Sequence, residues 1–303
     1  MRTVSAIKNI NSTLIVYGFN MVLQFIIRFV LLYYLSIEYL GLNGLFDNIL
    51  TVLSLTELGI GPAIIFSLYS PLANHDLETA KSIMRIFKKA YIYIGTLILF
   101  LGLCISPFVQ HLIKVPPNIA YLNIFFLLFV VDTGISYFYS YKKCLLIADQ
   151  KQYIANYYRG ITQLIGSLFQ IVLVILTHSF WVYIILRICM TFSENFLIAR
   201  KADHLYSFLN EKNIQPLNKD IYQSIIRNIK ALILHKIGGV TVFGTSNIIL
   251  SKFVGLSAVA LYTNYYLIIN GIDKLSDQVF NALKASVGNL NESHDDAHKL
   301  VIF

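Results

Sequence analysis

The chain has 303 residues, 56% of them hydrophobic and only 13% charged, with a mean hydropathy of +0.65. That balance excludes an ordinary soluble domain and marks a membrane protein. The net charge of +8 comes without a basic patch interleaved with aromatics, so it does not signal nucleic-acid binding.

Runs of about 20 apolar residues cross the roughly 30 Å hydrocarbon layer as helices. Eight are predicted, at 12–35, 40–70, 90–113, 119–141, 161–177, 180–199, 231–253 and 256–287, an all-α polytopic architecture. They are too long and too continuously apolar for the alternating strands of a membrane barrel. "MRTVSAIKN" is basic like a signal peptide, but the run after it is too long and lacks a small-residue cleavage site, so the first helix is expected to stay.

At 100° per residue, Thr13, Tyr17, Asn20, Gln24 and Arg28 share an arc of roughly 80° on the first helix. The second places Asn43, Asp47, Ser54, Glu57 and Gly61 on a similar arc and is broken by Gly59, Gly61 and Pro62. Pro62 lacks the N–H that would bond to Leu58, which predicts a hinge there. Glu57, one turn before it, suits either a coupling cation or proton, or the satisfaction of donors exposed by the bend.

The third run carries no charge, Asp132 stands alone in the fourth, and Arg187 and Glu194 share a face of the sixth. Lys236, Gly239, Asn247 and Ser251 stripe the seventh; Asn270, Lys274, Asp277, Asn281 and Lys284 stripe the eighth. A charge at mid-bilayer costs roughly 2.5–3.5 kcal/mol, so these stripes are expected to line a wet central cleft, with Arg28 and Asp47 paired. The competing reading is helix-to-helix packing, in which each polar contact contributes about 0.6–2 kcal/mol. Lys252 and Lys284 suit snorkelling to the interfaces. Cys104, Cys144 and Cys189 form neither a disulfide framework nor a metal spacing.

Positive residues are retained on the cytoplasmic side. The N-terminus and the connections 72–89, 142–160 and 200–230 hold 16 of the 24 Lys and Arg residues, whereas the loop between the third and fourth runs has only Lys114. The N-terminus is therefore expected inside.

Shifting the chain by 219 residues lays the first two runs on the last two: "NHD" (74–76) meets "SHD" (293–295), and "SLTELGIG" meets "DKLSDQVF" (273–280). A same-sense repeat of this kind predicts a six-helix lobe at 1–199, a cytoplasmic linker at 200–230 and the start of a second lobe at 231–303.

"YLGLNGLFDNILTVLSLTELGIGPAIIFSLYSPLANHD" (39–76), preceded by a helix with a buried Arg and followed by "FKKAY" (87–91), resembles the polysaccharide flippases of the Wzx type. These belong to the multidrug/oligosaccharidyl-lipid/polysaccharide exporter superfamily, with its MATE-like two-lobe fold. The resemblance implies a multi-pass protein of the bacterial cytoplasmic membrane. It would flip undecaprenyl-pyrophosphate-linked oligosaccharide for surface polysaccharide such as O-antigen or capsule, with a polysaccharide polymerase downstream. Arg28 is the implied counterpart of an essential basic residue in related lipid II flippases, with Lys236 a further cation for the pyrophosphate. Relatives have 12 to 14 helices, so the second lobe is expected to be incomplete.

Three rivals stand beside this reading. A cation-coupled drug exporter of the same superfamily would use Glu57, Asp132 or Asp277 for Na⁺ or H⁺. A membrane glycosyltransferase or polymerase would need a large outer loop with carboxylates, and here the outer loops are short. The third is an inert truncated remnant. With no nucleophile triad, phosphate loop or metal cluster in the sequence, neither enzymatic activity nor a cofactor is expected.

Overall fold

The structure, a computed structural model, describes residues 2–57, 59–115, 119–211 and 215–292. These form ten α-helices and no strand: α1 (Arg2–Tyr34), α2 (Ile37–Leu53), α3 (Ile60–Ala73), α4 (Leu77–Ile105), α5 (Leu122–Ala148), α6 (Gln152–Thr177), α7 (Phe180–Leu205), α8 (Lys219–Gly244), α9 (Ser246–Phe253) and α10 (Leu256–Glu292). Among the described residues, five helices are long and apolar enough to span a membrane, or six if α2, the 3₁₀ turn Ser54–Glu57 and α3 form one span broken at 45°. The helical, multi-pass architecture is as expected. α8 and α10, which cover two of the eight expected spans, are not among those five or six: α8 carries Lys219, Asp220, Arg227, Lys230 and Lys236, and the apolar part of α10 is interrupted by Asn264 and Asn270 before Asp273.

Six of the long helices clearly outgrow their apolar runs, each at one end only. α1, α4, α6 and α8 begin at residues 2, 77, 152 and 219, against predicted starts of 12, 90, 161 and 231; α5 and α7 end at 148 and 205, against 141 and 199. All six extensions lie on the Lys- and Arg-rich side, where amphipathic turns continue the backbone hydrogen bonding outside hydrocarbon. The expected linker at 200–230 is accordingly mostly helical, with only 206–218 between α7 and α8. Polar contacts fasten this end. Asp76 caps α4 by accepting from the Thr79 N–H at 3.0 Å, and the Thr79 side chain first, then that N–H, holds its carboxyl below the usual range. The Tyr206 hydroxyl donates to Asp149 at 2.6 Å; burial first, then that bond, pushes its pKa well above that of a free phenol.

The buried apolar residues form two clusters at different depths. One gathers Phe46 of α2, Phe126 and Phe129 of α5 and Ile184 of α7. The other joins Ile64 and Leu68 of α3, Phe87 of α4, Leu145 of α5 and Ile198 of α7. Along α5 and α7 the residues between the clusters include Asp132, Tyr137, Arg187 and Glu194, so the polar side chains form a layer between two apolar ones.

α10 packs lengthwise on α2 and also touches α1. The approach depends on glycine. A Cβ on Gly44 would stand 2.7 Å from the Thr263 methyl, and one on Gly41 would collide with the Leu256 carbonyl oxygen. Small residues bring membrane helices into backbone contact, where van der Waals packing replaces the missing hydrophobic drive.

The 219-residue offset recurs in the backbone: α1 ends at Tyr34 and α2 begins at Ile37, while α9 ends at Phe253 and α10 begins at Leu256. The breaks do not recur. α2 and α3 part at residues 57–60, whereas α10 runs unbroken through 276–279, because Gln278, Phe280 and Asn281 stand where the first copy has Gly59, Gly61 and Pro62. Residues 293–295 lie outside the described residues.

Candidate functional site

The polar stripe of α1 opens onto a cavity of about 310 Å³ enclosed by α1, α2, α5, α6 and α7. Asn20, Gln24 and Arg28, four residues apart, present one face of α1 to it. α2 contributes Asn43 and Asp47, α5 Asp132, α6 Gln163, Ser167 and Gln170, and α7 Tyr183, Arg187 and Thr191.

Arg187 organises the floor. Its Nε donates to Asp132 Oδ2 at 2.8 Å, its Nη2 to Asp47 Oδ1 at 2.8 Å and its Nη1 to Asn43 Oδ1 at 3.2 Å. The guanidinium also lies 4.3 Å from the Phe129 ring centroid, a cation–π contact on its apolar side. Tyr183 Oη donates to the same Asn43 Oδ1 at 3.1 Å. One planar donor thus ties α7 to both α2 and α5, with its charge matched twice. Asp132 is 5% exposed, and its Oδ1 is buried without a hydrogen-bond partner.

The expected pairing of Arg28 with Asp47 does not form. Arg187 takes Asp47, and Arg28 Nη1 instead donates to Asn264 Oδ1 of α10 at 2.9 Å. Asp132, expected to stand alone, is half of the central ion pair. Arg28 makes no ion pair among the described residues; it is held by a neutral amide, while the Asp47 carboxylate on the same cavity is engaged by Arg187.

The depth of these groups is the signal that sequence reasoning passed over. Asp47 and Asp132 each lie ten residues into helices that start at the same end, at Ile37 and Leu122, and Arg187 lies seven into α7 from Phe180. At about 1.5 Å per residue they are within one turn of a common level. Gln163, Ser167 and Gln170 are equally legible as a polar face of the fifth predicted run. Glu194, read with Arg187, accepts from Gln163 at 3.4 Å and lies 3.9 Å from Lys143.

The remaining candidates sit elsewhere. Glu57 ends the 3₁₀ turn and accepts from Tyr91 Oη at 3.2 Å and Tyr137 Oη at 3.4 Å, facing α4 and α5 rather than the cavity. Gly59 caps α3 in the left-handed region at φ 74° with Leu232 of α8 against it; Gly61 is buried beside the Glu57 carboxylate and Tyr91. Pro62 falls in the first turn of α3, where its missing N–H would have no partner in any case, so the break belongs to Gly59. Asn247 of α9 is a helix contact: its N–H donates to Asn48 Oδ1 at 3.1 Å and its Nδ2 to the Gly44 carbonyl at 3.2 Å. Lys236, Lys274 and Asp277 have side chains outside the described residues. At the N-terminal end of the stripe, Thr13 accepts from Asn156 at 2.8 Å, a contact between α1 and α6.

The cavity therefore offers one guanidinium outside any ion pair among the described residues, Arg28, beside amides, hydroxyls and the Arg187-bound carboxylates of Asp47 and Asp132, a set able to bond a polar group carrying hydroxyls. Among the described residues no three His, Cys, Asp or Glu side chains converge as for a metal ion. No protein family, curated protein or solved structure matches the chain.

Proposed function

We propose that this chain carries the polar head of a lipid-linked oligosaccharide across a bacterial cytoplasmic membrane by alternating access, its N-terminus inside and the isoprenoid tail remaining in the bilayer. The observation that carries the reading is the cavity of about 310 Å³ within an apolar helix bundle, lined by Asn20, Gln24, Gln163 and Gln170 around Arg28, which makes no ion pair among the described residues. A pyrophosphate is the most expensive part of such a substrate to desolvate, and a guanidinium replaces its hydration with bidentate, charge-assisted bonds. Amides and hydroxyls do the same for sugars. Residues 1–199 would form one lobe and 231–303 the beginning of the other, with the Gly59 break as the point of bending.

The test is flipping of an undecaprenyl-pyrophosphate-linked oligosaccharide in proteoliposomes. Arg28→Ala is expected to lower the rate at least tenfold and Arg28→Lys to keep part of it; an unchanged rate in Arg28→Ala removes the cavity from the transport path. A cation-coupled exporter of small molecules is the second reading, favoured by the partnerless Asp132 Oδ1. Drug efflux that survives loss of oligosaccharide flipping would favour it.

A further inference from the structure

A second, larger cavity of about 640 Å³ lies at the Lys- and Arg-rich end of the bundle, between α4, α5, α7 and the turn Ser207–Asn210. One face of α4 supplies Lys81, Arg85, Lys88 and Lys89 to it, and Lys142 enters from α5. Two of these five cations are already satisfied. Lys81, 4% exposed, bonds Glu78 and Glu211, both at 2.7 Å, and Lys142 bonds Asp203 at 2.6 Å. Arg85, Lys88 and Lys89 are exposed and make no ion pair among the described residues. Five cations against three acids leave a local charge of +2.

Like charges three and four residues apart on one helix face repel, so this arrangement is destabilising until an anion joins it. The depth specifies the kind of anion. Lys88 and Lys89 immediately precede the apolar run predicted to begin at residue 90, which puts them at the level of lipid phosphates. The next residue on the same face, Ile92, is 43% exposed and also lines the cavity, and Tyr93 beside it is 69% exposed. A ligand held by Arg85, Lys88 and Lys89 would thus continue over an apolar wall that a water-soluble phosphate has no means of using.

We propose that this cavity is a binding site for the phosphate headgroup of an acidic phospholipid, with its acyl chains running along Ile92, independent of any cargo in the central cavity. Arg85 provides the planar fork for phosphate oxygens, Lys88 and Lys89 the additional charge, and the Lys81 and Lys142 ion pairs hold the walls.

The protein purified in neutral detergent is titrated with phosphatidylglycerol, phosphatidylcholine or glycerol 3-phosphate, and retained lipid is read by mass spectrometry of the intact complex. Phosphatidylglycerol should be retained and phosphatidylcholine should not. Lys88→Gln and Lys89→Gln should each weaken retention roughly fivefold and Arg85→Gln at least as much. Lys252→Gln, whose ammonium donates to the His111 carbonyl at the opposite end, should leave it unchanged. Equal retention of phosphatidylcholine, undiminished binding in the Gln variants, or displacement of the lipid by glycerol 3-phosphate would each overturn the assignment. Lys88 and Lys89 are exposed, so the single variants report on binding without burdening the fold, and Lys88→Arg should bind as the unaltered chain does.

Discussion

Arg187 reaches Asp132 across the interface of α5 and α7 at 2.8 Å, and leaves the second oxygen of that carboxylate buried with no partner. A fully matched structural pair would leave no such atom. Removing one member of a buried ion pair typically costs about 3–5 kcal/mol because the other charge is stranded. Arg187 and Asp47 are 25% and 40% exposed on their side chains, so water softens the loss. Arg187→Gln should therefore destabilise the protein by about 2–3 kcal/mol, read as a lowered thermal midpoint in detergent. Adding Asp132→Asn to it should restore part of the loss, since one stranded charge disappears.

Gly59 should matter more than Pro62. At φ 74° any L side chain is strained by about 1–2 kcal/mol, and the Cβ of alanine would also stand 2.8 Å from Leu232 Cβ. Gly59→Ala is expected to lower both stability and transport rate. Pro62→Ala, in the first turn of α3, should change stability by less than about 0.5 kcal/mol. A scan comparing the two midpoints separates these outcomes.

The contact of α2 with α10 predicts a local effect at Gly41. Gly41→Ala would push its new methyl into the Leu256 carbonyl oxygen, so α10 should be displaced and its backbone opened to protease. Limited proteolysis should then cut within 256–292 sooner than in the unaltered chain. Gly238→Ala, where nothing stands within 4 Å of the added Cβ, serves as the control.

Orientation is tested by single cysteines at His75, between α3 and α4, and at His178, between α6 and α7, in a chain whose own three cysteines are replaced. With the positive residues inside, an impermeant maleimide added to intact cells should label position 178 and reach position 75 only after the membrane is opened. The reverse pattern would invert the topology and place the basic cavity of α4 outside.

The length and apolarity of its runs carry the helical, membrane-embedded character of this chain, because a segment that cannot hydrate its backbone must bond internally wherever it lies. The ends facing hydrocarbon were legible for the same reason: α6, α7 and α10 end or begin at residues 177, 180 and 256, where the predicted runs do. Periodicity also made Asn20, Gln24 and Arg28 one face. It could not say what that face meets. The partners of Arg187 come from two other helices and lie 55 to 144 residues away in the chain, and angular position on one helix contains nothing about which neighbour stands opposite. The close passage of α10 over Gly41 and Gly44 assigned Asn264 to Arg28, and Tyr91 and Tyr137 drew Glu57 to the other side of the bundle. Depth along the membrane normal is written in a single strand of sequence, whereas azimuth around the bundle is set only when helices pack, since steric fit between neighbours selects it.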